Sequence, residues 1–241
     1  MKEAIKMDFT ITPIGYIFND FDEKFGIPRQ SGLATSVISK IILEKEFRSP
    51  DAIRGLEQFD YIWLIWQFSK VVENRMNKNE ETTISLTVRP PKLGGNTRVG
   101  VFASRSPFRP NALGLSSVLI DHIDYNSTEG PIIYVKGADL LNGTPIFDIK
   151  PYLPYVDAHP AASNGFAEST DENKLEVYIS KDLENILGKE NILAVKELLS
   201  LDPRPSYQNQ PDRVYGISYG GYNISFTVVN KCVNIVEISK N

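Results

Sequence analysis

Phe59-Asp60-Tyr61-Ile62-Trp63-Leu64-Ile65-Trp66 is the stretch on which the fold class turns. From Tyr61 to Trp66 it is the longest uninterrupted apolar run in the chain, six residues where a membrane span needs about 20. No helix is expected to cross a bilayer. The run is too apolar for a strand exposed on one face, so it reads as the core of a barrel or, failing that, as a dimer surface. Similar short runs flank it: Phe9 to Thr12, Ile14 to Phe18, Val37 to Phe47, Thr83 to Val88, Val99 to Ala103, Leu115 to Ile123 and Ile132 to Val135. Each is rich in Val, Ile or aromatic residues and ends at Gly, Pro, Asn or Asp, the punctuation of strands. With no βαβ alternation, strands at this spacing predict a β-barrel or sandwich. Asp51 to Leu56 reads as one helical turn ending at Gly55.

The composition shifts after residue 156. Residues 157–173 are small, polar and turn-rich, and read as a linker between a barrel-like domain, residues 1–156, and a small α+β domain, residues 174–241. In the latter, Leu175 to Ile179 alternate as a strand, and Ser180 is placed to cap a helix from Lys181 to Leu187 that Gly188 closes. Asn191 to Leu201 carries Ile192, Val195, Leu198 and Leu199 on one side, as a second helix would. Val214 to Tyr219 and Tyr222 to Val229 form a hairpin through Gly220-Gly221, and Cys232 to Ile238 adds a strand. The fold class expected is thus mainly β, with a small α+β addition that packs on the barrel.

The chain has 241 residues, a formal net charge of −4, two His and one Cys. A chain of this length buries roughly 70–75% of its unfolded surface and needs no disulfide or metal to fold. His122, His159 and Cys232 are too few and too scattered for a structural zinc site, so no metal is expected. Nor is a His-dependent nucleophile: His122 lies in an alternating strand and His159 in a loop. The residues before Asp8 contain no apolar core of a secretory signal, and with a lone Cys a cytoplasmic setting is expected.

The negative total conceals a local reversal. From Thr82 through Ile120 there is no Asp or Glu, while Arg89, Lys92, Arg98, Arg105 and Arg109 give the window a charge of +5. Evenly spread acids would place about five there. The window is a candidate surface for phosphate or another anion, or a basic face offset by acids elsewhere in the fold.

Four turn-rich segments hold more polar and backbone-restricting residues than connections require. Gly26-Ile27-Pro28-Arg29-Gln30-Ser31-Gly32 joins a fixed φ to a permissive one. Arg89-Pro90-Pro91-Lys92-Leu93-Gly94-Gly95 stiffens a spacer and then lets backbone amides approach a ligand. The segment from Gly100 to Ser116 displays Arg105 and Arg109 between prolines. In the segment from Gly137 to Pro154, Asp139 and Asn142 flank a turn and suit a ribose or an amino group as hydrogen-bond acceptors.

Ile27-Pro28-Arg29-Gln30, Arg89-Pro90-Pro91, Gly100 to Asn111, Gly137 to Pro145 and Asp148 to Pro154 together resemble the TsaA-like, TrmO-type tRNA methyltransferase family, also called VirR-like. Order and spacing match over about residues 10 to 157. Asp202-Pro203-Arg204-Pro205-Ser206-Tyr207, followed by Tyr215-Gly216 and a hairpin, resembles the second domain of bacterial members.

The resemblance implies a homodimeric, S-adenosylmethionine-dependent enzyme whose barrel lacks a Rossmann core, in line with the absence of a Gly-x-Gly-x-x-Gly after a strand. It implies methyl transfer to N6 of threonylcarbamoyl-adenosine at position 37 of tRNA. Carried over by position, cofactor contacts fall on Gln30, Ser31, Gly32, Ser69, Lys70, Arg105, Leu115, Asp139, Leu140, Leu141 and Asn142. Two places depart from the family pattern: Ser69-Lys70 stands where some bacterial members show His-Gln, and Asn142 where they show Asp. For tRNA, Arg89, Lys92 and Arg109 would meet phosphates, while Arg204, Tyr207 and Tyr215 would contact anticodon-loop bases, the two tyrosines serving alternatively as hairpin core. Arg109→Glu is accordingly expected to weaken tRNA binding far more than cofactor binding.

In-line methyl transfer needs donor and acceptor held about 3–3.5 Å apart and water excluded. The acylated N6 proton calls for a base or acceptor, with Asp139, Asp202 and Tyr207 as candidates. The alternatives are a non-catalytic RNA-binding barrel protein, or a methyltransferase acting on another nucleic acid or on a small molecule.

Overall fold

A computed structural model describes residues 9–77, 85–167, 174–204, 210 and 213–241. The decisive stretch forms strand β3, and its alternation sets its two faces. Counting along the chain, β1 is Gly15–Phe18, β2 Ile38–Leu43, β3 Tyr61–Gln67, β4 Thr87–Val88, β5 Val99–Gly100, β6 Leu113–Asp124, β7 Ile132–Lys136 and β8 Thr144–Pro151. Six of these close a barrel in the order β1-β2-β7-β6-β3-β8, every pairing antiparallel. Ile62, Leu64 and Trp66 point inward with Ile17, Ile41, Val118, Ile133 and Ile146. On the outer face Trp63 donates its indole N–H to Asp157 at 3.0 Å and packs on the Tyr152 ring, 5.4 Å away between centroids. Asp157 closes the short helix α2 at Pro154–Asp157, so the outer face of β3 is covered by its own chain.

Antiparallel pairing decides where the site can form. Strands β1, β3 and β7 all run toward the same barrel end, and the three connections that leave there are residues 19–37, 68–112 and 137–143. Three of the four turn-rich segments lie in these connections or at the strand end beside them, and the fourth begins in the third connection before running through β8 to the other barrel end. The second connection holds helix α1 at Ser69–Asn77 and the β4–β5 ribbon.

In the C-terminal part, β9 (Glu176–Tyr178) precedes helix α3 (Lys181–Ser200), then β10 (Tyr215–Tyr219), β11 (Tyr222–Val229) and β12 (Cys232–Lys240). The sheet order is β10-β11-β12-β9, with β9 parallel to β12. Ser180 caps α3 as the sequence predicts, and Gly188, at φ 73° and ψ 160°, breaks it into two helical pieces. Val195, Leu198 and Leu199 pack on Ile224, Phe226 and Val233. Phe21, Ala34 and Val37 of the first barrel connection enter this same core. That connection therefore belongs to both parts of the molecule.

Three segments differ from expectation. Phe9 to Thr12 is not a strand: Phe9 is 80% exposed, and the ladder to β8 begins with the Ile14 amide on the Ile146 carbonyl. Val101–Ala103 turns into a 3-10 helix instead of continuing β5. Thr144 to Pro151, read as a loop because of its prolines, is strand β8 and closes the barrel. Pro145 is tolerated because the β3 ladder reaches only to Ile146, which leaves Pro145 with a single neighbouring strand. Of Thr83 to Val88, the first two residues lie outside the described residues and Thr87–Val88 is extended. No helix among the described residues is long and apolar enough to cross a membrane.

Candidate functional site

The site grows from the turn between β7 and β8. Gly137, at φ 74°, takes a left-handed conformation that favours glycine. Its carbonyl accepts the Gly32 amide at 2.8 Å, and a Cβ on Gly137 would come within 3.1 Å of the Gly32 Cα. Two glycines thus let the first and third connections touch. Asp139 follows, half-buried, its Oδ1 accepting the Ser116 hydroxyl at 2.6 Å. Burial pushes its carboxyl above the ordinary range, against the pull of Ser116, its own backbone amide, Arg105 and the Ser31 amide. Arg105 donates to the Gln30 side-chain carbonyl, which brings the second connection to the first.

The remaining residues named for the cofactor divide between lining and bracing. Leu140 is fully buried, and its carbonyl accepts the Asn19 side-chain amide at 2.9 Å. Asn142 takes the Asn19 backbone amide at 3.2 Å and donates to Asp22 at 3.3 Å, so it braces the turn from outside. The Leu141 carbonyl accepts the Thr144 hydroxyl at 2.7 Å. Leu115 is 59% exposed on β6, beside buried Ser116. Ser69 and Lys70 open α1, where Lys70 pairs with Glu73 at 3.0 Å. The structure thus brings Gln30, Ser31, Gly32, Arg105, Asp139 and Leu140 together, and gives Lys70 and Asn142 other partners.

The residues named for tRNA fare differently. Arg89 is exposed beside the β4–β5 ribbon, and Arg98 donates to Thr87 at 2.9 Å. For Lys92 the side chain is outside the description. Arg109 donates to the Ser104 carbonyl at 2.6 Å, and Arg75 grips the carbonyls of Arg109 and Pro110 at 2.8 and 3.0 Å. The Arg109 guanidinium therefore braces the loop that presents Arg105, in addition to belonging to the acid-free window. Arg204 is 9% exposed and grips both oxygens of Asp202 at 2.7 and 2.9 Å. This pairing occupies the carboxylate of Asp202, one of the base candidates, and turns the guanidinium of Arg204 inward, away from the anticodon-loop contact read for it. The Arg204 carbonyl takes the Arg29 guanidinium at 3.1 Å, which ties the pair to the Gln30 loop. Tyr215 is buried against Phe226, while Tyr207 lies outside the described residues.

Ser116 and Trp66 escape sequence reasoning, because one polar residue in an alternating strand carries no signal of its own. No group of three or more His, Cys, Asp or Glu suited to a metal occurs among the described residues.

Fold and site define the class: a non-Rossmann barrel whose one end gathers a carboxylate, an arginine and loop amides. Residues 16–158 match the tRNA-methyltransferase O N-terminal domain, and residues 172–241 match the TrmO C-terminal domain. The chain belongs to the TrmO family of tRNA methyltransferases. It is 35% identical over 230 residues to the tRNA (adenine(37)-N6)-methyltransferase of Escherichia coli strain K12, covering 92% of this chain and 94% of that protein. A putative S-adenosylmethionine-dependent methyltransferase of Pseudomonas aeruginosa is 37% identical over 218 residues, 88% and 89% of the two chains. A crystal structure of TrmO from Pseudomonas aeruginosa superposes with a TM-score of 0.74 at 28% identity, covering 97% of this chain and 100% of the other.

Proposed function

We propose that this chain is an S-adenosylmethionine-dependent tRNA methyltransferase acting on N6 of adenine 37, and that the base it accepts is threonylcarbamoyl-adenosine. The observation that carries the reading is the meeting of Gln30–Gly32, Arg105 and Asp139–Leu140 at one barrel end in a chain of this family. The donor set fits the cofactor. Asp139 suits a diol or an ammonium, Arg105 a carboxylate, and exposed Leu115 an apolar ring or chain. The chemistry that S-adenosylmethionine supplies is an activated methyl group on a sulfonium. The protein's part is positioning: the glycine contact fixes the distance between two loops, and Arg105 with Gln30 fixes the third.

Asp139 is the remaining described candidate for holding the N6 proton, and its raised pKa suits a proton acceptor better than an ordinary carboxylate would. Arg89 and Lys92 of the acid-free window would meet tRNA phosphates, while Arg109 of the same window also braces the loop of Arg105. We extend the reading to a homodimer, supported by Phe102 and Phe108, which are 74% and 60% exposed on the loop that carries Arg105, and to the cytoplasm, supported by the lone Cys of the chain.

Incubation with methyl-labelled cofactor and total tRNA, followed by nucleoside mass analysis, tests the proposal. Label on threonylcarbamoyl-adenosine is expected. Label on another nucleoside would reject the substrate, and no saturable heat with S-adenosylmethionine in calorimetry would favour the non-catalytic alternative.

A further inference from the structure

We propose that Ser116, itself held by the indole of Trp66, is a positioning residue that keeps Asp139 an ionised acceptor aimed at the cofactor. The proposal rests on the reading of Asp139 as a cofactor residue. Its basis is a directional chain. Trp66 Nε1 lies 3.0 Å from Ser116 Oγ, and Ser116 Oγ lies 2.6 Å from Asp139 Oδ1.

An indole nitrogen can only donate, so Ser116 must accept from it. The single hydroxyl proton of Ser116 is then directed at Asp139. The 2.6 Å separation falls in the short range of a charge-assisted bond from a hydroxyl to a carboxylate. Asp139 is thereby required to accept on Oδ1. A protonated Oδ1 would face the Ser116 hydrogen, and the indole bars the hydroxyl from turning round. One oxygen is fixed, and the lone pairs left over serve the Ser31 and Asp139 amides and a ligand hydroxyl or ammonium.

The fold itself gives no reason for this arrangement. Ser116 is 2% exposed on the inward face of β6, opposite Leu64 on β3, where the alternation calls for an aliphatic side chain. A buried hydroxyl is costly unless it is satisfied, and an apolar pair here would hold the barrel equally well. Room for the indole is also specially made. A Cβ at Gly114 would lie 2.3 Å from the Trp66 ring, so glycine at that position is what lets Trp66 lie across β6 toward Ser116. Desolvation drives Asp139 toward the neutral form, and Ser116 is the largest influence opposing it, ahead of Arg105, the charged side chain acting on it from the neighbouring loop.

Calorimetric titration of the full chain with S-adenosylmethionine from pH 5.5 to 8.5 tests this, using Ser116→Ala, Ser116→Thr, Trp66→Phe and Asp139→Asn beside the wild type. Ser116→Ala is expected to weaken binding about tenfold near pH 8 and to move the acid limit of binding to higher pH, with Ser116→Thr restoring both. Trp66→Phe, which frees the hydroxyl to rotate, is expected to show the same change more weakly. A lower Tm for Ser116→Ala with wild-type affinity and an unmoved pH limit would overturn the proposal and leave Ser116 a packing residue. If Ser116→Ala does not fold, Trp66→Phe with wild-type affinity and pH limit overturns it in the same way. Wild-type binding by Asp139→Asn would overturn the cofactor role of Asp139 and the proposal with it. No binding by the wild type would instead reject the functional reading itself.

Discussion

The carboxylate of Glu197 on α3 accepts the backbone amide of Ser36 at 2.7 Å, joining residues 161 positions apart. Thr35 adds its hydroxyl to the same carboxylate at 3.4 Å. Between β1 and these residues run Gln30, Ser31 and Gly32, and the hydrophobic anchors of the connection, Phe21, Ala34 and Val37, sit in the C-terminal core. The loop that meets Asp139 is thus anchored to the C-terminal part as well as hydrogen-bonded to the barrel's β7–β8 turn. Glu197→Ala should cost about 1.5 kcal/mol, a charged hydrogen bond, and lower the Tm by roughly 5 °C. It should also weaken S-adenosylmethionine binding, with Glu197→Gln intermediate. A lower Tm together with unchanged affinity in calorimetry would show that the loop keeps its shape without the helix.

Asp139 sets stability against function. Its folded pKa lies above the ordinary carboxylate value, so the folded state holds more protons than the unfolded one in the window between the two, and stability falls as pH rises through it. At neutral pH the ionised carboxylate therefore destabilises the fold. Asp139→Asn keeps an oxygen to accept from Ser116 and removes the charge. It should raise stability at pH 7 by about 1 kcal/mol while weakening cofactor binding. The gain should vanish below about pH 4, where the wild-type carboxyl is protonated in both states. Urea unfolding at pH 7 and pH 3.5 checks the sign, and a wild type more stable than the variant at pH 7 would contradict it.

Gly114 and Trp66 are coupled by contact. Alanine at 114 would place its Cβ 2.3 Å from the ring, an overlap that only a shift of the indole or of β6 relieves. Gly114→Ala should cost about 2–3 kcal/mol in urea unfolding. In a Trp66→Leu background the same change should cost under about 1 kcal/mol, because the obstructing ring is gone. Additive costs in the double-mutant cycle would mean that the strand, and not the ring, resists the methyl group.

What the sequence disclosed follows the range of each interaction. Strands β1, β2, β3, β6 and β7 were legible because inward and outward positions alternate within a few residues. Strand β8 was not, because Pro145 and Pro151 signal turns, and only its neighbours β1 and β3 show that Pro145 sits where one ladder has not yet begun. Helix α1 was missed for another reason: of its nine residues only Val71 is buried, so it has almost no apolar stripe to read. The polar loops of the site stood out by composition and family likeness. Their bracing did not. Ser116 meets Asp139 across 23 residues and Trp66 across 50, and the Arg109 clamp depends on carbonyls that no side-chain pattern reveals.

That clamp separates two arginines of the acid-free window which look equivalent in sequence. Arg109 holds the Ser104 carbonyl at 2.6 Å, one residue before Arg105, and its own carbonyl is held by Arg75 at 2.8 Å. Its loss should loosen the loop and move Arg105 away from Gln30. Arg109→Ala is therefore expected to weaken both S-adenosylmethionine and tRNA binding, and Arg75→Ala should do the same to a lesser degree. Arg89 is exposed beside the ribbon. Arg89→Ala should leave cofactor affinity unchanged, weaken tRNA binding across isoacceptors, and reduce the slope of log affinity against log salt by about 1. Filter binding of tRNA between 50 and 200 mM salt, paired with cofactor calorimetry on each variant, distinguishes the two roles. If Arg89→Ala lowers cofactor affinity as much as Arg109→Ala does, the division between phosphate contact and loop clamp is wrong. An unchanged salt slope in Arg89→Ala would remove that residue from the tRNA surface.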